Sequence, residues 1–179
     1  MKRTLSLLVF CLSFAAGYSQ VFNTGIMMPP GRFAIGLEPT YLVNSSQGKL
    51  FLFIHGNYGL KSDVGLNFQV GVGGYDTYGG AAVNWGFSKM VNLTAGAHYF
   101  GNFGLDGRLN FNFQLQRDAR LFTGIDANIN FAQTVQVPLW LPVGIEIKLP
   151  DRLSFILEAE IALTRPAYHI IGGGVAYYF

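Results

Sequence analysis

Charge is scarce in this chain. Asp, Glu, Lys and Arg make up 12% of its 179 residues, roughly half the ~25% of an ordinary soluble domain. Cysteine occurs once, at Cys11. That position lies inside an apolar N-terminal run that export would remove, so the mature chain is expected to make no disulfide and no thiolate metal site. Long apolar runs are missing as well. Beyond residues 5–14 no stretch approaches the ~20 consecutive apolar residues of a membrane helix. Nor does one sign of charge prevail. Of 12 Lys+Arg, Lys2 and Arg3 leave with the leader, and 10 remain against 10 Asp+Glu. A neutral chain has no basic surface for a polyanion, so no nucleic-acid partner is expected.

The N-terminus supplies what the rest lacks. Lys2 and Arg3, the apolar run of residues 5–14 and the small residues that follow read as a secretory signal peptide. Residues 1–19 form it if cleavage follows Ser19, with Gly17 as the alternative point. Phe10 precedes Cys11 where a lipoprotein signal needs a small residue, which argues against lipidation. Residues 20–179 then have the length of one domain.

What is abundant is apolar and aromatic: 50% hydrophobic, 15% aromatic and 23 glycines. High apolarity without helical spans leaves one architecture, an all-β antiparallel transmembrane barrel whose lipid-facing residues alternate with polar lumen residues. Alternation is clearest from residue 105 to 116. There Leu105, Gly107, Leu109, Phe111, Phe113 and Leu115 face out, and Asp106, Arg108, Asn110, Asn112, Gln114 and Gln116 face in. The next segment repeats it, with Ile125, Ala127 and Ile129 outward and Asp126, Asn128 and Asn130 inward.

About ten segments follow this pattern: 32–43, 49–60, 64–74, 78–87, 91–101, 105–116, 121–132, 140–149, 153–163 and 168–179. Eight is the nearest alternative count. An even count puts both termini on the periplasmic side. Tight, mostly charged turns near 61–63, 88–90, 117–120 and 150–152 belong there. Loops at 44–48, 75–78, 101–104, 133–139 and 164–167 belong outside. A weak repeat supports the register: Asn57-Tyr58-Gly59-Leu60 before Val64 and Leu66 parallels Asn84-Trp85-Gly86-Phe87 before Val91 and Leu93. Tyr58, Trp85, Tyr177 and Phe179 are expected in an inner aromatic girdle. Tyr41, Tyr75, Tyr78, Tyr99, Trp140 and Tyr168 are expected near an outer one. Pro39, with no N–H to donate, predicts a bulge or kink.

The closing residues 168–179 alternate to the last position, which is Phe179. Gly174, Tyr177 and Phe179 form a pattern that resembles the C-terminal signal of bacterial outer-membrane β-barrels. That resemblance implies reading by the barrel-assembly machinery, contact with outer-membrane lipid and location in the outer membrane of a Gram-negative cell. The whole mature chain resembles small outer-membrane barrel proteins as a class. The last strand is expected to pair with the one beginning near Arg32 and close the ring.

The interior is where chemistry would lie. Glu38, Arg108, Asp126, Glu158 and Glu160 fall near mid-height, with Glu146 and Lys148 lower. Together with Asn110, Asn112 and Asn128 they are expected to form a polar lumen network. A charge inside a spanning barrel must be paired or wet. The network therefore reads either as a salt-bridged plug or as a narrow conduit for a small polar solute. Small inward residues, Gly71, Gly73, Gly80, Ala82, Gly86, Gly172 and Gly174, leave room opposite. The wall of Gly172 and Gly174 is the thin one, along which a path would run.

An enzyme is the alternative, one that modifies lipid A or phospholipid. Lipid A deacylases of this size use a His and a Ser two residues apart, whereas His169 is followed at that spacing by Ile171. The ten-stranded outer-membrane proteases use an Asp pair and an Asp-His pair, and no Asp-x-Asp or Asp-x-His occurs here. His55 and His98 lie on separate strands without a third ligand, and Gly71-Val72-Gly73-Gly74 opens no helix. Neither metal, cofactor nor catalytic residue is expected, and the role reads as structural or narrow-pore. A closed barrel predicts a mobility shift between unboiled and boiled samples on a denaturing gel, and identical mobilities would overturn it.

Overall fold

The computed structural model describes Thr24 and residues 27–43, 49–73, 76–165 and 167–179. The leader with both candidate cleavage points, the 44–48 loop and Tyr75 lie outside the described residues. The chain folds into β1 (Phe33–Val43), β2 (Lys49–Gly59), β3 (Val64–Gly73), β4 (Asp76–Gly86), β5 (Val91–Phe100), β6 (Asn102–Gln116), β7 (Ala119–Phe131), β8 (Val135–Gln136), β9 (Leu139–Lys148), β10 (Leu153–Ala162) and β11 (His169–Tyr178). Every pairing is antiparallel. β1 pairs with both β2 and β11, which closes the ring. Ten long strands make the wall, and two-residue β8 only extends the edge of β7. A ten-residue strand rising ~3.3 Å per residue and tilted ~40° covers about 25 Å, the height of the apolar band of such barrels.

Side-chain parity turns this molecule inside out. The outward positions are large and apolar, including Leu50, Val72, Ile125, Leu157 and Ile171, and they are exposed around the whole circumference. No water-soluble monomer leaves so continuous an apolar surface. The buried set is mostly polar instead: Glu38, His55, Asn57, Asn84, Asn92, Asn110, Asp126, Glu146 and Glu158 among others.

Inward glycines and aromatics fit each other across neighbouring strands. A Cβ on Gly71 would strike the Phe53 ring, one on Gly73 the Phe51 ring and one on Gly144 the Phe122 ring. The rings lie flat over bare backbone, which fills the lumen and lets the wall bend. At the end of the barrel that carries both termini, the repeat seen in the sequence becomes one turn used twice. Leu60 N and Lys61 N both donate to Val64 O (3.0 and 2.9 Å), and Phe87 N and Ser88 N to Val91 O (3.0 and 3.2 Å). Glycines in that repeat also admit the N-terminal segment. Pro29 O occupies the space a Gly59 Cβ would need, and Met27 Cγ lies 2.7 Å from where a Gly86 Cβ would sit.

Several expectations change. Strands β4 and β6 begin at Asp76 and Asn102, so the expected 75–78 and 101–104 loops shrink. In the second, Gly101 turns alone at φ 69°. Pro39 makes no bulge. The β1–β11 ladder omits Glu38 and Pro39 and resumes in the same register, because only the proton of one ring nitrogen is missing. Pro142 does the same in the β7–β9 ladder, between the Thr123↔Val143 and Asp126↔Trp140 pairs. The one register shift lies instead between Gln114 and Gln116. Tyr78 and Trp140 leave the outer girdle: both share the parity of lumen residues and both line the interior. Tyr41, Tyr99 and Tyr168 remain exposed. In the inner set Tyr177 and Phe179 meet edge to face at 4.9 Å, and Phe33 joins Phe179 at 5.7 Å.

Gly144→Ala should destabilise the barrel by about 1–3 kcal/mol, since Phe122 is fully buried and has nowhere to retreat. Gly79→Ala, whose Cβ meets nothing, should stay within about 0.5 kcal/mol. Urea unfolding in lipid vesicles distinguishes the two.

Candidate functional site

The lumen is layered. At the terminal end, Met28, Ala34, Phe122, Ile156, Ala176 and Tyr178 form a buried apolar cluster across the barrel. Met28 comes from the segment that crosses the barrel end, so the seal is built partly from residues before the first strand. Beside it Glu146, 1% exposed, accepts from Tyr178 Oη at 2.7 Å and faces Arg120 Nη1 at 3.5 Å. Such a buried carboxylate is tolerable only with these partners. Lys148 lies half-buried at the same end, in register with Ser154.

The middle layer holds the strongest charges. Arg108 Nε donates to Asp126 Oδ2 at 2.8 Å, its Nη2 bonds the same oxygen, and Glu160 Oε1 lies 3.8 Å from that Nη2. Glu38 Oε2 meets His55 Nε2 at 2.7 Å across the β1–β2 seam. His98 Nδ1 meets Asp106 Oδ1 at 2.5 Å, and its Nε2 meets Asn130 Oδ1 at 3.0 Å. With its amide nitrogen turned toward the acids, Asn128 donates to Asp106 Oδ1 at 3.0 Å and Asp126 Oδ1 at 3.2 Å. The asparagine file bonds mainly within itself: Asn84 Nδ2 to Asn67 Oδ1 at 2.8 Å, Thr94 Oγ1 to Asn84 Oδ1 at 2.5 Å, and Asn110 Nδ2 to Asn92 Oδ1 at 3.0 Å. Asn112 and Glu158 are buried in the same interior, Glu158 opposite Gly144 and Gly172 in register.

Toward the end remote from the termini the lumen opens into a cavity of about 410 Å³. Its floor is Arg108, Asp126, Asn128 and Glu160. One wall is aromatic, from Phe51, Phe53, Tyr78 and Phe100; Glu38 and Thr40 adjoin it on β1, in register with Phe53 and Phe51, and Trp140 lies across the ring. The Tyr78 ring stacks on His98 at 5.5 Å and meets the Phe53 edge at 5.6 Å. Asn102, Gln136 and Tyr168 line the rim and are exposed. A second space of about 100 Å³ lies deeper, bounded by His55, Asn57, Asn67, Thr94 and Asp106, and shares Gln69, Tyr78, Arg108, Asp126 and Asn128 with the first.

The residues singled out from sequence fall at different depths of the lumen. Arg108, Asp126, Asn128 and Glu160 come together; Glu38 pairs apart from them with His55; Glu146 belongs to the terminal seal. Parity marked His55, His98 and Asp106 as inward, but gave them no partners. The aromatic wall, Tyr178 and Arg120 were missed, although each has lumen parity. Gly172 does not leave a thin wall. The Glu38 carboxylate occupies the space its Cβ would take, and neither Gly172 nor Gly174 lines the cavity. His169 sits at the far rim, where its Nδ1 accepts from Ala162 N at 3.1 Å.

No protein-family model matches the sequence, and no curated protein matches it. Among solved structures, the KdgM porin superposes with a TM-score of 0.51 at 9% identity, covering 82% of this chain and 99% of the porin. The fold is that of the outer-membrane β-barrels. A de novo designed transmembrane β-barrel gives 0.46 at 12% identity, over 86% of this chain and all of the design. The translocator domain of the autotransporter NalP from Neisseria meningitidis gives 0.46 at 9%, over 99% and 94%. At these identities the likeness is one of fold.

Tyr178→Phe removes one hydroxyl from the Glu146 carboxylate and is expected to cost about 1.5–3 kcal/mol in vesicle unfolding. Tyr177→Phe, on the opposite face, should change little.

Proposed function

We propose that the protein is a non-enzymatic barrel of the outer membrane, exported by its leader, that admits small polar solutes to a narrow lumen and passes them poorly at rest. The layering of the lumen carries this reading: a cavity open at one rim, a charged floor, and an apolar seal at the terminal end. With the termini periplasmic, the open cavity faces outward. The Arg108–Asp126 pair narrows the middle, and Met28 with Phe122 and Ile156 closes the bottom.

The C-terminal strand supports the companion proposal about assembly. Gly174 faces the lumen while Tyr177 and Phe179 lie outside, next to the β1–β11 seam that joins the first strand to the last. That placement suits recognition of this strand by the barrel-assembly machinery before closure.

Single-channel recording in planar bilayers tests the role in transport. Wild type should give small, cation-preferring openings. Arg108→Ala should enlarge them and strengthen the preference, since it removes the cation from the floor and leaves its carboxylates. Met28→Gly should loosen the seal and raise open frequency. Silence from all three proteins, correctly folded by gel shift, would leave a structural plug and overturn the transport reading.

A further inference from the structure

We propose that the far-end cavity is a binding site for a small organic cation bearing an apolar or aromatic group. The inference rests on the barrel reading only for access through the far rim. The volume, about 410 Å³, suits a small molecule. Its lining carries three carboxylates, Glu38, Asp126 and Glu160, against one guanidinium, Arg108. These four side chains sum to a formal charge of −2, held by walls that exclude the counter-ions of bulk solvent. Anionic ligands are disfavoured on that ground.

A bare metal ion would use the acids but not the opposite wall. Phe51, Phe53, Tyr78 and Phe100 form a continuous aromatic surface, with Phe51 edge-on to Phe100 at 5.5 Å and Phe53 edge-on to Tyr78 at 5.6 Å. Aromatic faces attract organic cations through their quadrupoles and bury the attached hydrocarbon. Asp126 and Glu160 face the rings across the lumen and Glu38 adjoins them, so carboxylates and rings within one cavity select a ligand with both features.

An independent observation points into the same space. Thr40, 4% exposed, lines the cavity, and its Oγ1 has no hydrogen-bond partner. A buried hydroxyl without a partner is costly. It lies beside the Glu38 carboxylate over Gly172, where a side chain on that residue would fill the spot. An ammonium N–H donated to Thr40 Oγ1, or a bridging water carried with the ligand, would satisfy it.

Trp140 lines the cavity, so it reports on occupancy. The only other tryptophan is Trp85, and Trp85→Phe leaves Trp140 as the sole fluorophore. Purified Trp85→Phe barrel in detergent is titrated with benzylammonium, with benzyl alcohol, with benzoate and with glucose. Benzylammonium should shift Trp140 emission saturably, and the other three should not at equal concentration. Added Glu160→Gln should weaken the affinity on the order of tenfold, the loss of one charge contact. Thr40→Val, which keeps the shape, should weaken it less. Equal response to benzyl alcohol or glucose would overturn the cation and leave a neutral aromatic or sugar site. No saturable response, or affinity unchanged in Glu160→Gln, would overturn the site. The assay needs no conduction: saturable binding by a silent barrel sinks transport alone, and a conducting barrel without binding sinks the site alone.

Discussion

Every backbone donor and acceptor of this wall has to be satisfied within the wall, because hydrocarbon offers no replacement for water. That constraint makes β1 return to β11 and leaves no open edge. It also explains why proline is tolerated at Pro39 and Pro142. Each lacks one proton toward one neighbour and keeps an unbroken ladder with the other, β2 for Pro39 and β10 for Pro142. At the second gap Thr123 Oγ1 donates to Pro142 O at 2.8 Å, so a side chain replaces part of the missing ladder. Both gaps flank the charged middle layer, beside Glu38 and just before Asp126. At the β7–β9 gap a side chain rather than backbone thus joins the strands.

Filling the ring is the second requirement. Ten strands enclose more volume than small side chains occupy. The terminal half fills it with the Phe122 ring on Gly144, the Met28 cluster and the Glu146 triad. The far half lays Phe53 and Phe51 over Gly71 and Gly73 along one wall and stays open. Stability and access are thus assigned to opposite ends of the same strands, which is possible because a strand's successive inward residues lie at successive depths.

Fold and parity were legible because period-two alternation is a local property of the sequence. Strand number, closure and the inward positions of Arg108, Asp126 and the asparagines all follow from it. Tyr78 and Trp140 show where a competing preference misled: aromatic residues near a strand end suit a girdle, but their even parity with Gly80 and Gly144 puts them inside. Partner choice was less legible, since Glu38 finds His55 only through the stagger of β1 on β2, and Asp126 meets Arg108 through that of β6 on β7. The N-terminal segment was illegible in principle. Thr24 and residues 27–30 have no periodicity, and their place is written instead in the glycines that receive them, Gly59, Gly65 and Gly86.

The neutral composition conceals a strong internal order of charge. Glu38, Asp106, Asp126, Glu146, Glu158 and Glu160 all project into the lumen, while Arg32, Lys61, Lys89, Arg117 and Arg152 stand at the terminal rim beside Asp63, Asp118 and Asp151. Arg108 and Arg120 are the guanidiniums carried inward to offset the acids, each bound to carboxylates there. Compensation is therefore complete for the molecule and incomplete for the far cavity. A cation inside the far cavity meets Glu38, Asp126 and Glu160 against one guanidinium, Arg108. That balance favours holding a cation at the middle layer over passing it freely, and it ties the inward acids of the strands to the open end of the barrel.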